Sequence, residues 1–449
     1  MARIVSNIAY LPGGFFVAEV IPFRGWRYDS AVAGELAKLI SPPYDVIDPA
    51  LRDVLFRQSR YSIARVIKAD RDTAAPQGQS YAAAARLFDA WRQEGVVRQD
   101  PEPAIYVYEQ HFEVHDRKFS RTGMVALARL QDPGSGILPH ENTLAGPRAD
   151  RLELLRAAAT HFGQIFGLYP DPAGGVDAIL KATKEERPLA QAADASGHFH
   201  RLWAITDSRK IAAIQSLMSD KGVLIADGHH RYETALAYSR ERPDLEGAKF
   251  VMMTLVNMSN PGLVILPIHR LVRNLPEFDP ARFLAKLRKR FQVRAYPGDS
   301  SAVREAVRGS MAARLSEGDH AFGLYLNDDN FYEVVVSDAD ALARIEGGSE
   351  ARRRLDVTIL HQLIFEDMLG IGPERLQAES NVEYVKDFPH AILNAVRAVS
   401  SGEAQAFFLL NPVRIEDVRT VAGNNERMPQ KSTFFYPKVY TGMVFDCIA

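Results

Sequence analysis

Residues 223–238 read VLIADGHHRYETALAY, and this stretch decides which fold the sequence predicts. The apolar run from Val223 to Ala226 is typical of a buried strand, and a helical pattern begins at Tyr232. Asp227 and Gly228 therefore lie where a strand ends and a helix starts. In open α/β sheets ligands bind at this edge, and the free N–H groups and dipole of the helix favour an anion.

The polar residues of this turn have chemistry that suits phosphate. Gly228 allows the backbone to approach a ligand closely, and Arg231 can form paired hydrogen bonds with phosphate oxygens. His229 and His230 can donate hydrogen bonds or move protons, so we count His230 as a catalytic candidate. Asp227 can bind Mg²⁺ or accept a proton from a hydroxyl group. These five residues predict a phosphate site with catalytic groups attached.

Two other interpretations of the turn stay open. An aspartate at a strand–helix junction is a common helix cap, and a histidine is often only a satisfied polar residue. The second interpretation is a zinc site, because aspartate and histidine are zinc ligands. The His-Glu-x-x-His pattern is missing, however, and adjacent histidines of a regular helix or strand cannot both face one metal.

Bulk composition limits the class of protein. The 449 residues are 47% hydrophobic and 24% charged, which is typical of a soluble globular protein with two or three domains. A net charge of −2 gives no reason to expect non-specific nucleic-acid binding. The one cysteine, Cys447, excludes intrachain disulfides and cysteine metal clusters. With no signal-peptide core and no long uncharged apolar run, we expect a cytoplasmic protein without a membrane partner, and a homodimer stays open.

The order of predicted elements indicates an α/β (mixed α+β) fold with several domains. We expect an N-terminal α+β domain at 1–130, a central phosphate-binding domain at 131–272, and a C-terminal α+β domain at 273–449. Strands and helices alternate in the central part, which favours an α/β domain there.

Local signals in the N-terminal part are clear. Asp48 followed by Pro49 is a helix-start signature. Residues 80–95 carry apolar side chains at helical spacing, Phe88 and Trp91 among them, before Gly95. Residues 104–131 predict two strands joined by a charged turn.

Further candidate site residues lie in the loop that contains PHENT, residues 139–143, and just after it. Glu141 is a candidate base or metal carboxylate, and His140 is a candidate substrate ligand. Arg148 and Arg151, near the start of the next predicted helix, are candidate substrate ligands, and Asp150 is a candidate N-cap.

Two more segments supply candidates. In MPQKSTFFYPK, residues 428–438, the phosphate candidates are Lys431, Ser432, Thr433 and Lys438. The glycines of a P-loop are missing and no helix follows, so this is not a Walker motif. For these residues to act, the last strand-like segment must return to the central domain. In SPPYDVID, residues 41–48, the prolines predict a rigid turn that presents Tyr44 and Asp45 to a substrate pocket.

The chain resembles, along nearly its whole length, the bacterial and archaeal family catalogued as domain of unknown function 1015. The segments that carry this resemblance are SPPYDVID (41–48), LPHENT (138–143), RADRLELL (148–155), ADGHHRYETA (226–235), LPIHR (266–270), LDVTILH (355–361) and MPQKSTFFYPK (428–438). More distantly, the central part is similar to the ParB/sulfiredoxin superfamily, which includes free serine kinases. That likeness implies ATP, ADP or CTP phosphates at residues 228–231 and an acidic acceptor-site residue at Glu141.

The sequence and the resemblance together predict a kinase. It would use Mg²⁺ with ATP or ADP, with CTP as a further option, and phosphorylate a small hydroxyl-bearing metabolite such as serine or a similar amino acid. Glu141 would activate the hydroxyl, and Asp227 would bind Mg²⁺ or help as base; both are candidate metal ligands. The alternatives are a ParB-like nucleotide switch or DNA-associated module, and a metal-dependent hydrolase.

Overall fold

A computed structural model describes residues 18–68, 79–132, 134–141, 145–336 and 339–448, with backbone only at 79, 145–148 and 339. The chain forms two compact units: residues 1–264 with 437–449, and residues 265–436. The second unit is therefore inserted into the chain of the first. Several sheets with helices in both units confirm the mixed α/β, multi-domain class.

Among the described residues, twelve strands of the first unit precede the insertion. They are β1 (Val20–Ile21), β2 (Trp26–Tyr28), β3 (Val97–Gln99), β4 (Ile105–Val114), β5 (Arg117–Arg129), β6 (Ile137–Pro139), β7 (Thr160–His161), β8 (Ile165–Tyr169), β9 (Ala190–Ala193), β10 (Phe199–Ile205), β11 (Val223–Asp227) and β12 (Phe250–Asn257). Nine of them form one sheet, in the order β6, β11, β8, β12, β5, β4, β10, β9, with β1 paired to β5.

The helices of the first unit are α1 (Ser30–Ala33), α2 (Pro49–Gln58), α3 (Ala64–Ile67), α4 (Gln79–Gln93), α5 (Ala145–Ala158), α6 (Gly175–Thr183), α7 (Ser208–Met218) and α8 (His229–Glu241). Helix α2 begins as predicted, since the Asp48 side chain accepts a hydrogen bond from Leu51 N at 2.8 Å and Pro49 is its first residue. Helix α4 buries Phe88 and Trp91, which confirms the periodicity of residues 80–95.

The predicted boundary at residue 130 is wrong as a boundary between domains. Strands β4 and β5, from the predicted N-terminal domain, form the predicted hairpin, but β5 also pairs with β12 along six residue pairs from Phe250–Arg129 to Leu255–Met124. The polar loop that follows residue 130 connects strands of one sheet. Strand pairing joins segments that are distant in sequence, and a change in local composition does not report it.

Strand β11 lies between two neighbours that position its carboxyl end. It runs parallel to β6 with Ile225 opposite Pro139, and antiparallel to β8 with Asp227 opposite Phe166. The register shifts between residues 225 and 227, a bulge of the kind that redirects a side chain near a functional site. The carboxyl ends of β6 and β11 therefore meet at one edge of the sheet.

The second unit contains a six-stranded antiparallel sheet in the order β15, β17, β16, β19, β14, β18 and a short β13–β20 pair. Its strands are β13 (Val264–Leu266), β14 (Ile268–Val272), β15 (Gln292–Pro297), β16 (His320–Leu326), β17 (Asn330–Val336), β18 (Val382–Lys386), β19 (Ala406–Leu409) and β20 (Phe434–Tyr436). Its helices are α9 (Pro280–Arg290), α10 (Ser301–Glu317), α11 (Ala339–Ala343), α12 (Glu350–Arg353), α13 (Asp356–Ile359), α14 (Asp367–Leu369), α15 (Pro373–Gln377), α16 (Pro389–Ser400) and α17 (Ile415–Gly423), with a π-helical segment at Leu360–Glu366. The predicted boundary at 272 would split this sheet, because β14 belongs to it.

From residue 437 the chain returns to the first unit. Thr441 pairs with Ser41, Phe445 pairs with Trp26, and the last strand, β21 (Asp446–Cys447), pairs with β7. Among the described helices of either unit, none has both the length and the apolar character needed to cross a bilayer.

Candidate functional site

The turn between β11 and α8 depends on Gly228. This residue has φ +94° and ψ 27°, the left-handed conformation that glycine adopts without strain. A Cβ placed there would lie 2.9 Å from a guanidinium nitrogen of Arg231. Helix α8 begins at His229, three residues before the predicted start at Tyr232, so both histidines belong to its first turn.

Asp227 holds two cations at this turn. Its Oδ2 accepts a hydrogen bond from Arg231 Nη2 at 2.8 Å, and its Oδ1 accepts one from Lys438 Nζ. Burial alone would raise the pKa of Asp227, but the charges of Lys438 and Arg231 and the hydrogen bond from Lys438 lower it to about 2. A carboxylate with such a low pKa is a weak base, and both of its oxygens are engaged by cations. The geometry argues against Asp227 as base or Mg²⁺ ligand and assigns it to positioning these cations.

The segment that carries Lys438 is fixed by two buried side chains. Gln110 Nε2 donates to the carbonyl oxygen of Lys438 at 3.0 Å, and Arg121 Nη2 donates to that of Pro437 at 2.5 Å. The Arg121 guanidinium lies 4.6 Å from the ring centre of Phe166, the residue opposite Asp227 in the sheet. These bonds help to hold the backbone of Pro437 and Lys438 beside the turn.

Three cations interact electrostatically with the one carboxylate of Asp227. Lys438 and Arg231 bond to it directly, and the Asp227 charge also acts on Arg121. Burial lowers the pKa of Arg121 to about 10, so this guanidinium stays protonated at neutral pH. This group of four side chains carries a net positive charge beside a helix N-terminus, which is suited to an anion.

His140 and His229 tie the loop after β6 to the start of α8. The backbone N–H of His140 donates to His229 Nε2 at 3.3 Å, and His140 Nδ1 lies 2.7 Å from the carbonyl oxygen of Ile225. Because a carbonyl only accepts, His140 carries its proton on Nδ1. Burial lowers the pKa of His140, although the nearby Glu141 charge raises it, so the ring is neutral at neutral pH. His230, next along α8, is partly exposed.

Glu141 lies at the same edge of the sheet as Asp227. It lies two positions beyond the end of β6, and β6 is the parallel neighbour of β11. The Glu141 side chain is partly buried. A carboxylate thus lies on the β6 side of the turn.

A cleft opens beside the turn. Tyr44, Arg151 and Arg231 line it, so two predicted substrate ligands share a cleft with a predicted phosphate ligand. The Arg151 guanidinium lies 4.2 Å from the centre of the Tyr44 ring and bonds to Asp150 Oδ2 through Nε at 2.8 Å. Asp150 lies inside α5, so its predicted role as N-cap is wrong.

Other predicted residues are not brought to this turn by the described contacts. Asp45 is exposed on the short 3₁₀ turn Tyr44–Val46, and the side chain of Arg148 is outside the described residues. Lys431, Ser432 and Thr433 belong to the second unit, where Ser432 Oγ donates to Pro429 O at 2.5 Å. Their predicted contact with phosphate stays a prediction.

Three residues near the turn were missed from the sequence: Gln110, Arg121 and Gln164, whose carbonyl oxygen accepts a hydrogen bond from Arg231 Nη1. Arg121 had a detectable signal, since a charged residue within a strand of a buried sheet requires an explanation. Gln164 acts through its backbone and leaves no signal in the sequence.

Metal binding finds little support in the residues that the structure describes. Within them, no group of three or more histidine, cysteine, aspartate or glutamate side chains is placed to hold a metal ion. The zinc interpretation and the hydrolase that depends on it therefore gain no support. For Mg²⁺, Glu141 is the remaining carboxylate of the two predicted, since Asp227 is engaged by cations.

Comparison with known proteins gives a family match and several distant structures. The family model described as a protein of unknown function, DUF1015, matches residues 20–358. An alanine variant of a free serine kinase in complex with AMP is 12% identical, with a TM-score of 0.32 over 69% of this chain and 89% of that chain. No curated protein matches the sequence.

Two further structures are similar at the same level. A conserved hypothetical protein from Pyrococcus furiosus is 14% identical, with a TM-score of 0.30 over 68% of this chain and 90% of that chain. SbnI from Staphylococcus aureus, truncated at its C-terminus, is 11% identical, with a TM-score of 0.33 over 70% and 84% of the two chains. At these scores the matches carry no weight for the chemistry, which rests on the residues of the site.

Proposed function

We propose that this chain, which belongs to the DUF1015 family, is a phosphotransferase that binds a nucleoside di- or triphosphate at the N-terminus of α8. The observation that carries the proposal is the convergence of Lys438 and Arg231 on Asp227 beside Gly228. Incoming phosphate oxygens would take hydrogen bonds from these cations and from backbone N–H groups at the N-terminus of α8. The predicted likeness of this turn to nucleotide-binding turns agrees with that role.

The acceptor would be a small hydroxyl-bearing metabolite on the β6 side of the turn. Glu141 takes the proton of the acceptor hydroxyl while the acceptor oxygen bonds to the terminal phosphorus. The bond from that phosphorus to the leaving nucleotide breaks, and its electrons stay on the nucleotide oxygen. Lys438 and Arg231 neutralise the charge that develops on the phosphoryl oxygens.

Mg²⁺ enters this proposal as the counterion of the nucleotide. The described residues provide no cage of carboxylates for it, and Mg²⁺ in such enzymes is held largely by substrate phosphates with one or two carboxylates. His230, partly exposed in the first turn of α8, is a further donor to the phosphates. His229 is committed through Nε2 to the backbone of His140.

Calorimetry with ATP, ADP and CTP in the presence of Mg²⁺ tests the binding step. Lys438→Met should lower the affinity for nucleotide about 10- to 100-fold, which is the effect of losing a charge-assisted hydrogen bond. Lys249→Met is the matched control, because Lys249 pairs with Glu246 on the exposed surface. Absence of binding by the unmodified protein to all three nucleotides would exclude the proposal.

Glu141→Gln separates binding from transfer. We expect nucleotide affinity to stay within about twofold and phosphoryl transfer to fall by about 100-fold or more, the typical contribution of a general base. The transfer is measured by mass spectrometry as the gain of one phosphoryl group on members of a metabolite mixture. Equal transfer by the variant would remove Glu141 from the mechanism. In a separate measurement, CTP binding that duplex DNA strengthens would favour the alternative function as a nucleotide switch.

A further inference from the structure

The cleft beside the turn is lined mainly by apolar surface. Most of its lining is apolar and buried, formed by Ile67, Leu154, Leu155, Phe162, Ile165 and Val251. Polar side chains also line it: Tyr44, Arg151, Thr160, His161, Arg231, Thr234 and Thr441. A mainly apolar cleft with several polar groups is typical of a site for a small organic ligand.

The charged groups of this cleft are already compensated. Arg151 bonds to Asp150 and to the carbonyl oxygen of Ile67 at 2.8 Å, and His161 Nδ1 lies 2.8 Å from Asp446 Oδ2. A small zwitterion such as serine would lose hydration against the apolar walls without gaining a charged partner, which is unfavourable. A planar ring with apolar faces and a few polar edge atoms matches the lining much better.

The order of strands places this cleft on the opposite side of the turn from Glu141. Glu141 follows β6, which neighbours β11 on one side, and β8 neighbours β11 on the other. The cleft includes Ile165, the first residue of β8, and Gly163, which lies just before that strand. Arg231 both lines the cleft and bonds to Asp227, so it connects the two regions.

We propose that the cleft of Tyr44, Phe162 and Thr441 is the subsite for the heterocyclic base of a nucleotide whose phosphates lie at the turn. This rests on the proposed function and assigns the two ends of the ligand. The base enters the cleft on the β8 side, and the terminal phosphoryl group points to Glu141 on the β6 side. Tyr44 and Arg151 then contact the nucleotide. The sequence had instead predicted them as ligands of the acceptor substrate.

Calorimetry of the full-length protein with Mg²⁺–ATP and with Mg²⁺–tripolyphosphate, which has no base, tests the assignment. The unmodified protein should bind ATP at least about tenfold more tightly than tripolyphosphate, and Tyr44→Ala should remove about tenfold of ATP affinity, in the range of an aromatic–base contact. Tyr44→Ala should leave tripolyphosphate binding unchanged, and Tyr44→Phe, which keeps the ring, should retain ATP affinity. Lys438→Met should lower the affinity for both ATP and tripolyphosphate.

Tyr296→Ala is the matched control, because Tyr296 also lies under an arginine, Arg294, at 4.9 Å, but in the second unit. Equal affinity of the unmodified protein for ATP and tripolyphosphate overturns the base subsite and leaves the phosphate site intact. ATP affinity unchanged in Tyr44→Ala also overturns it. Failure of both ligands to bind the unmodified protein instead rejects the proposed function itself.

Discussion

Asp227 is the residue on which the charge balance of the turn depends. Its carboxylate is 13% exposed, and it compensates Arg231 and Lys438, whose side chains are 13% and 15% exposed. Removing the negative charge leaves these cations facing one another in a partly desolvated place. The cost of breaking a buried ion pair in this way is typically about 3–5 kcal/mol.

The lowered pKa of Asp227 predicts how stability depends on pH. The pKa is about 2 in the folded protein and about 3.9 in an unfolded chain, so the folded state binds the proton less readily. Its contribution is complete above about pH 5 and is lost as pH falls through the folded value. Urea denaturation of the unmodified protein and of Asp227→Asn should show a difference in unfolding free energy that is constant near neutral pH and shrinks below about pH 4. A difference that grows on acidification contradicts the assignment.

At the scale of elements, the turn from β11 to α8 can be compared with the turn before α6 in the same unit. Gly228 and Gly174 both precede a helix in the left-handed conformation, at φ +94° and +69°. Alanine at either position should cost about 1–2 kcal/mol of backbone strain. Only at Gly228 does the new Cβ meet a side chain, that of Arg231, because the space around Gly174 is open.

Gly228→Ala and Gly174→Ala should therefore both destabilise the protein, Gly228→Ala by more because it also disturbs the Arg231–Asp227 pair, and they should differ in ligand binding. We expect nucleotide affinity to fall about tenfold or more in Gly228→Ala, because Arg231 must move from Asp227. Gly174→Ala should bind as the unmodified protein does. Thermal unfolding and calorimetry on the same samples make this comparison, and equal affinities would show that the turn does not depend on Gly228.

The two buried arginines make a second comparison between elements. Arg121 in β5 bonds to Pro437 O, whereas Arg270 in β14 bonds to Ile268 O at 2.6 Å and Lys431 O at 3.0 Å. Methionine at either position should destabilise its own unit by a few kcal/mol, since carbonyl acceptors lose a charged donor. Only Arg121→Met should speed amide hydrogen exchange in residues 438–441 and lower the affinity for nucleotide. Protection of this segment in Arg121→Met would show that other contacts fix it.

Local elements were predictable where a repeating pattern or a cap defined them. Helix α4 follows from the spacing of Phe88 and Trp91, and helix α2 follows from Asp48. The strand and turn at Asp227 followed from a short apolar run and a glycine. Arg121 could not be assigned, because its partner lies 316 positions away and depends on a chain return that periodicity does not encode.

For the whole molecule, the predicted boundaries followed changes in composition and missed the insertion. Strands β4 and β5 share a sheet with β11, so no division at residue 130 exists in the first unit. The return at residue 437 was predicted only as a requirement of function, and no local pattern located it. Domain organisation depends on long-range pairing, which a single sequence does not display.

The insertion predicts that the two units respond differently to truncation. A chain that ends at residue 436 lacks Met443, Val444 and Phe445, which are at most 2% exposed. Since loss of one buried phenylalanine alone costs about 3–5 kcal/mol, the first unit should lose its cooperative unfolding transition. The second unit has its own core and should keep its transition. Scanning calorimetry and limited proteolysis follow both, and a stable first unit in the truncated chain contradicts the prediction.

Because the chain returns to the first unit only at residue 437, the parts of the site are synthesised at different times. The strand and helix that carry Asp227 and Arg231 emerge early, and domains generally fold in the order in which they are made. Lys438 leaves the ribosome only after the entire inserted unit, so a nascent chain contains the turn long before the turn can acquire its second cation. Under the proposed function, a nascent chain that stops before Lys438 should bind nucleotide about 10- to 100-fold more weakly, as expected for Lys438→Met.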